Sequence, residues 1–332
     1  MLGMGFFNPA MGGAPLLYQY IFWFYSHPAV YVFILLGLGI ISEIMPVFTR
    51  KPLFSYKIVA ISSLGIAFGG MFVFAHHMFV SGMPASLRVP FMITTLLVAV
   101  PTGIKIFAWV ATMWRGKIWL ETPLLFAMTS MIVFLIGGIT GIPLGIVPTD
   151  MYLHDTYFVV GHFHAMLFGG FLLPVMAAIY FWFPKATGRM LDGRQGIIQW
   201  LLMTIGSGLL VLPMLGLGLE GMRRRVSVYP LPEMQPLHIA TAIGGFLIFA
   251  GIGVLAYNIV RSLRRGQLAG SNPWGAHSLV WLISSPPPAE NFEEIPEVVG
   301  NPYVFGSPGA KHAILKGKEV EKTEKKENTE GG

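Results

Sequence analysis

Five histidines carry the chemical interest of this chain. His76 and His77 are adjacent in the string F-A-H-H-M-F, His162 and His164 are two apart in V-V-G-H-F-H-A-M, and His27 sits in Y-S-H-P-A-V-Y. All five fall inside apolar stretches of membrane length. Ionisable side chains are expensive in a bilayer, and where they occur they face a bundle interior and carry function. Histidine is also the commonest metal ligand, so the set points to metal chemistry inside a membrane. A helix turns about 100° per residue. His162 and His164 therefore point to nearly opposite faces and would serve two different centres. His76 and His77 differ by about 100°, so both reach one metal if the helix distorts. His27 and Tyr31 stand at i and i+4, on one face.

The elements that must position these residues are membrane helices. The 332 residues are 54% hydrophobic and only 11% charged, with a mean hydropathy of +0.65. Apolar blocks long enough to cross a ~30 Å hydrocarbon core run over about 16–42, 57–80, 91–114, 123–147, 157–183, 198–219 and 237–260. The expected fold class is all-α: a polytopic transmembrane bundle of seven helices. The 40 glycines and 24 prolines are compatible with membrane helices, whose neighbours re-satisfy freed backbone groups. The first block lacks a basic leader, so no cleavable signal peptide is read. Cysteine is absent, which excludes disulfides, iron–sulfur clusters and any thiolate metal site. A metal here must rest on histidine, carboxylate or a porphyrin.

Basic residues in short loops set the orientation. Arg50, Lys51 and Lys57, then Arg115 and Lys117, then Lys185, Arg189 and Arg194, and last Arg261, Arg264 and Arg265 alternate consistently. They put the N-terminus outside and the C-terminus in the cytoplasm. The same orientation places all five histidines at one depth, in the outer half of the bilayer. A core histidine bonded to a carbonyl would be the ordinary reading of any one of them alone. Five at one depth, with no nearby intramembrane carboxylate, do not fit it. Arg223, Arg224 and Arg225 break the charge rule on the outer side. They suit a bound anion, because guanidinium forks hold carboxylates bidentately.

The strings Y-S-H-P-A-V-Y, A-H-H-M-F, P-T-G-I-K-I-F-A-W and H-D-T-Y-F-V-V-G-H-F-H resemble subunit I of the heme–copper oxygen reductases of the cytochrome oxidase type. The resemblance runs from about Phe6 to about Pro296, through N-P-W-G-A-H-S-L-V-W and S-S-P-P-P. It implies that His27, His76 and His77 bind a copper, with Tyr31 covalently linked to His27. It implies that His162 is the axial ligand of a high-spin heme facing that copper and that His164 is one axial ligand of a low-spin heme. His154 and Asp155 match a magnesium site shared with subunit II. Arg224 and Arg225 match the arginines that hold heme propionates, with Asp150 the acid beside one. Lys105 matches the lysine of a proton path from the cytoplasm to the tyrosine; Thr102 stands a turn earlier, and Ser42 matches the entry region.

Two departures from the family pattern stand out. Ala29 replaces the glutamate of the common H-P-E-V-Y string, and Tyr25 and Ser26 precede His27. This resembles the prokaryotic subtype in which that tyrosine and serine substitute in proton relay. The second departure is length. The family's subunit I has twelve helices, and this chain begins just before the sixth. The expected remainder is a separate or missing five-helix N-terminal part, which holds the second axial ligand of the low-spin heme. A split subunit and a fragment starting at an internal methionine both fit.

The expected activity is four-electron reduction of dioxygen to water coupled to proton translocation. It takes place in a multi-pass protein of the prokaryotic plasma membrane, with two hemes (heme a or a variant), one copper and magnesium. Electrons would come from cytochrome c through subunit II, whose two-cysteine copper site this cysteine-free chain cannot carry. Subunit III and the lipid bilayer complete the partners, and nucleic acid is not among them. A quinol-fed oxidase or a non-functional remnant is the alternative; the nitric oxide reductase branch lacks both the linked tyrosine and the lysine. Residues 1–268 form the expected membrane region and 269–308 a cytoplasmic extramembrane segment. Residues 309–332, rich in Lys and Glu, form an expected disordered tail.

Overall fold

The computed structural model describes residues 5–292, 294–300, 304 and 313–314. Its helices are α1 (Pro15–Thr49), α2 (Tyr56–Gly70), α3 (Ala85–Met113), α4 (Thr122–Gly145), α5 (Val147–Leu153), α6 (Tyr157–Leu167), α7 (Leu173–Thr187), α8 (Gly193–Leu219) and α9 (Gln235–Arg265). A 3-10 turn, Phe74–Met78, completes the span begun by α2, and a π turn, Phe168–Leu172, joins α6 to α7. With α2 and α6–α7 read as continuous spans, seven helices among the described residues are long and apolar enough to cross a membrane. They match the seven apolar blocks of the sequence one for one.

The helix ends follow local chemistry. Proline opens α1, α4, α7 and α9, where its missing N–H would have been unpaired anyway. Asp192 caps α8 by accepting from Gln195 N at 3.1 Å, and Thr156 caps α6 through Phe158 N at 3.2 Å. α8 and α9 run beyond their apolar blocks, at the N-terminal end of α8 and the C-terminal end of α9. Lys57 and Arg194 lie inside α2 and α8, and Arg264 and Arg265 occupy the last turn of α9. At the C-terminal end of α9, Arg264 and Arg265 complement the negative end of the helix dipole, so charge does not end that helix as it ends the apolar block.

Close packing fixes the bundle. The α8–α9 pair meets through Gly206 and Gly244; a Cβ on Gly244 would stand 2.6 Å from the Leu210 backbone nitrogen. Small residues allow this approach between membrane helices, where apolar burial alone drives little association. A buried polar seam ties α7, α8 and α9 together. The Tyr180 hydroxyl donates to Gln199 Oε1 at 2.7 Å, and Asn258 donates to the Asp192 carbonyl at 3.0 Å while accepting from the Asp192 N–H.

The segment after α9 lies against the helix ends opposite the histidines. Arg50 donates to the carbonyls of Trp274 and Gly275, Lys185 to those of Ser271, Ile283 and Ser284, and the Trp274 indole to Phe181 O at 2.8 Å. Two short strands, β1 (Glu297–Val298) and β2 (Ala313–Ile314), pair antiparallel. Ala313 and Ile314 thus take ladder positions within the stretch expected to be disordered. The rest of 309–332 lies outside the described residues.

Candidate metal centre

Antiparallel succession brings the N-terminal half of α1, the C-terminal end of the second span and the start of α6 to one side of the bundle. Distortion does the rest. Between Phe74 and Met78 the backbone tightens into 3-10 geometry, which supplies the distortion two adjacent histidines need to face one point. His27, His76 and His77 each offer a ring nitrogen, and these lie within 4.8 Å of one another. Among the described residues this is the group of three or more such donors that could hold a metal. His27 Nδ1 stands 3.0 Å from His77 Nε2. His27 Nε2 is buried with no hydrogen-bond partner.

The surroundings fix which nitrogens face the centre. The Thr95 hydroxyl donates to Phe91 O at 2.6 Å, so it accepts from His76 Nδ1 at 3.1 Å, which leaves the His76 Nε2 lone pair free. Trp23 stacks on His77, with centroids 3.7 Å apart and planes 7° from parallel. Tyr31 lies edge-on to His27 at 4.9 Å. Its ring has room because residue 70 is glycine: a Cβ there would stand 2.5 Å from Tyr31 Cδ2.

His162 and His164 diverge as their spacing requires. His162 Nδ1 donates to Gly137 O at 3.0 Å on α4 and lies 3.2 Å from the Thr140 hydroxyl. His164 Nδ1 donates to Val160 O of its own helix at 2.8 Å, with Phe163 and Phe168 beside its ring. A carbonyl only accepts, so both Nδ1 atoms carry the proton and both Nε2 atoms are free to ligate.

On the same side, Asp150 is 2% exposed and its Oδ2 accepts from His154 Nδ1 at 3.0 Å. Burial pushes the Asp150 carboxyl up, against the pull of His154. Asp155 accepts from Arg224 Nε at 2.6 Å, with Arg224 Nη2 also in contact and Arg225 at 3.7 Å. Burial would raise the Asp155 carboxyl, but the two guanidiniums outweigh it and hold it below the usual carboxylate range. Backbone bonds from Arg224 N to Asp155 O and from Tyr157 N to Met222 O staple the arginine loop onto this corner. His154 and Asp155 are thus brought near each other, but each is engaged with a different neighbour.

The expected proton-path residues are not all in mutual contact. Lys105 is 2% exposed; its Nζ donates to Ser63 Oγ at 2.6 Å and to Val59 O at 3.2 Å. Thr102 donates to Val98 O of its own helix. Ser42 donates to Leu38 O and accepts from the Trp109 indole at 3.0 Å. Tyr25 is 72% exposed on the described chain, and Ser26 is half-buried. Nothing in the sequence singles out Ser63, Thr95, Thr140 or Gly70; each is marked only by a tertiary contact.

The family model for cytochrome C and quinol oxidase polypeptide I matches residues 1–247. The chain belongs to that family. Among its relatives, cytochrome c oxidase subunit 1 of Thermostichus vulcanus is 50% identical over 304 residues, 92% of this chain and 55% of the relative. The Synechocystis sp. protein of the same name is 51% identical over the same shares. That of Bacillus subtilis is 38% identical over 302 residues, 90% of this chain and 49% of the relative. The chain therefore spans about half the length of the polypeptide I relatives it matches. A cryo-EM structure of a heme-copper terminal oxidase dimer shares the fold, with a TM-score of 0.67 at 22% identity over 76% of this chain and 50% of that one. Membership of this oxidase family implies heme and copper, and the donor atoms present are of a kind that fits them: three convergent imidazole nitrogens, with two further histidines whose Nε2 atoms are left free.

Tyr31 gives a direct check on the centre. Gly70→Ala is expected to push the Tyr31 ring off His27 and to lower turnover of the assembled oxidase by roughly 10- to 100-fold. Heme and copper content should stay normal. Oxygen consumption and metal analysis on one preparation measure both.

Proposed function

We propose that this chain is the metal-ligating, C-terminal part of the catalytic subunit of a prokaryotic cytochrome c oxidase, which reduces dioxygen to water and moves protons across the plasma membrane. One observation carries the reading: His27, His76 and His77 converge, with a buried, unpartnered Nε2 on the histidine that Tyr31 approaches. When bound, the copper and the two hemes supply the electron transfer and the oxygen chemistry.

The chain's own residues hold and orient those groups. His27 through Nδ1, with His76 and His77 through Nε2, would hold the copper. Nε2 of His27 is then the atom left for the covalent link to Tyr31. His162 would hold the high-spin heme and His164 one side of the low-spin heme, with hydrogen bonds at both Nδ1 atoms fixing the ring planes. The other side would take a histidine from the five-helix N-terminal part of subunit I, whether that part is a separate chain or the remainder of a longer one. That part would also cover Tyr25, which a relay role for Tyr25 and Ser26 needs. Arg224, Arg225 and Asp150 would hold propionates. His154 and Asp155 supply two donors, short of the near-octahedral set magnesium demands, so a magnesium ion there needs oxygen ligands from subunit II. Lys105 would carry protons from the cytoplasmic side toward Tyr31, with electrons arriving from cytochrome c through subunit II and with subunit III bound alongside.

Purification of the intact complex tests this. Pyridine hemochrome and copper analysis should give two hemes and, beyond the copper of subunit II, one copper that follows this chain. Full cytochrome c oxidation without that copper would overturn the assignment.

A further inference from the structure

We infer that Ser63 is a positioning residue of the proton route: its hydroxyl docks the Lys105 amine in a loading position on α2, separate from the position that delivers to Tyr31. The inference rests on the proton-path role proposed for Lys105.

The hydrogen bonds define the dock. Ser63 Oγ donates to Val59 O at 3.0 Å, so its single proton is committed and its lone pairs face the Lys105 amine, 2.6 Å away. The Val59 carbonyl gives the amine a second acceptor at 3.2 Å. Ser62 also donates to Val59 O, at 2.7 Å, yet it makes no hydrogen bond to Lys105 and is a natural control. Thr102 and Ser42, the polar residues expected from the sequence to serve Lys105, bond elsewhere.

The dock is remote from the delivery point. Tyr31 packs against Gly70, seven residues beyond Ser63 on α2. At 1.5 Å per residue that is a separation of about 10 Å along the helix. The amine on Ser63 is therefore not in contact with Tyr31. Its flexible four-carbon stem must leave Ser63, or a water chain must span the gap, before a proton reaches the tyrosine. In each cycle one proton leaves the ammonium toward Tyr31, and the neutral amine returns to Ser63 and Val59 to take the next from the cytoplasmic side. Without the Ser63 oxygen the protonated amine loses an acceptor, and the loaded fraction falls.

The test measures anaerobic reduction of the high-spin heme–copper pair in the complete oxidase by stopped-flow spectroscopy. Ser63→Ala is expected to slow it about tenfold, the effect of removing one hydrogen bond to a charged group. Ser63→Thr should restore it to within about twofold, and Ser62→Ala should leave it unchanged. Ser63→Ala added to Lys105→Met should cost nothing further, which a merely structural serine would not show. Should Ser63→Ala fail to assemble, Ser63→Cys keeps the volume, weakens the acceptor and should also be slow. Wild-type rates in Ser63→Ala or Ser63→Cys, or a further slowing on top of Lys105→Met, overturn the dock while leaving Lys105 in the path. A normal rate in Lys105→Met alone overturns the path itself.

Discussion

Replacing His76 by alanine in the assembled oxidase is expected to abolish oxygen reduction and strip the histidine-bound copper, with the low-spin heme spectrum intact. His76 is one of three convergent donors, and its Nε2 is aimed by the bond from Nδ1 to Thr95. Truncation removes a donor that no described neighbour replaces. Losing a metal's contribution of several kcal/mol is worth roughly 10³-fold in rate or more. His164 Nδ1 donates to the Val160 carbonyl of its own helix, so the low-spin site proposed there has no structural reason to follow. Thr95→Val separates orientation from ligation: it keeps the ligand, frees the ring, and should cost about 10- to 100-fold in copper affinity or activity. Full turnover of His76→Ala, or loss of both heme bands together, would sink the assignment.

Lys105→Met carries the second large effect, a slowing of heme–copper reduction by roughly 10²-fold with metal content unchanged. A lysine near the middle of a membrane helix costs about 3 kcal/mol to insert. Hydrogen bonds to a charged group are worth about 1.5–3 kcal/mol each, so the Ser63 and Val59 bonds are of the size needed to offset that cost. Methionine fills the volume and needs neither bond, so the variant should fold at least as well while losing the proton carrier. A stable Lys105→Met oxidase with normal reduction kinetics would remove Lys105 from the route.

The histidines and the bundle were legible because their physics is local. Apolar length marks a span, and 100° per residue is enough to separate His162 from His164 and to demand a distorted turn at His76–His77. The Phe74–Met78 3-10 turn answers that demand. Ser63 and Thr95 were not legible, since a serine or threonine in a membrane helix ordinarily bonds its own carbonyl four residues back, as Thr102 and Ser42 do. Which hydroxyl also meets a partner is decided by the neighbouring helix. Gly70 is silent for the same reason; its meaning lies in the ring it makes room for. The arginine loop was half legible: its charge signalled an anion, while Asp155 as an anchor for Arg224 emerged only from the fold.

The π turn at Phe168–Leu172 has a consequence for how the fifth span is timed. A π turn is a one-residue insertion in an α-helix, and it advances every later side chain by about 100° in angular phase. His162 and His164 above it, and Tyr180 and Lys185 below it, therefore answer to separate clocks. The upper half is set by α4 through Gly137, the lower half by Gln199 and the Ser271 and Ile283 carbonyls. Deleting one residue between Phe168 and Leu172 would merge the two clocks into one. Either the imidazoles or the Tyr180–Lys185 anchor would then face the wrong neighbour, though no ligand or anchor residue had changed.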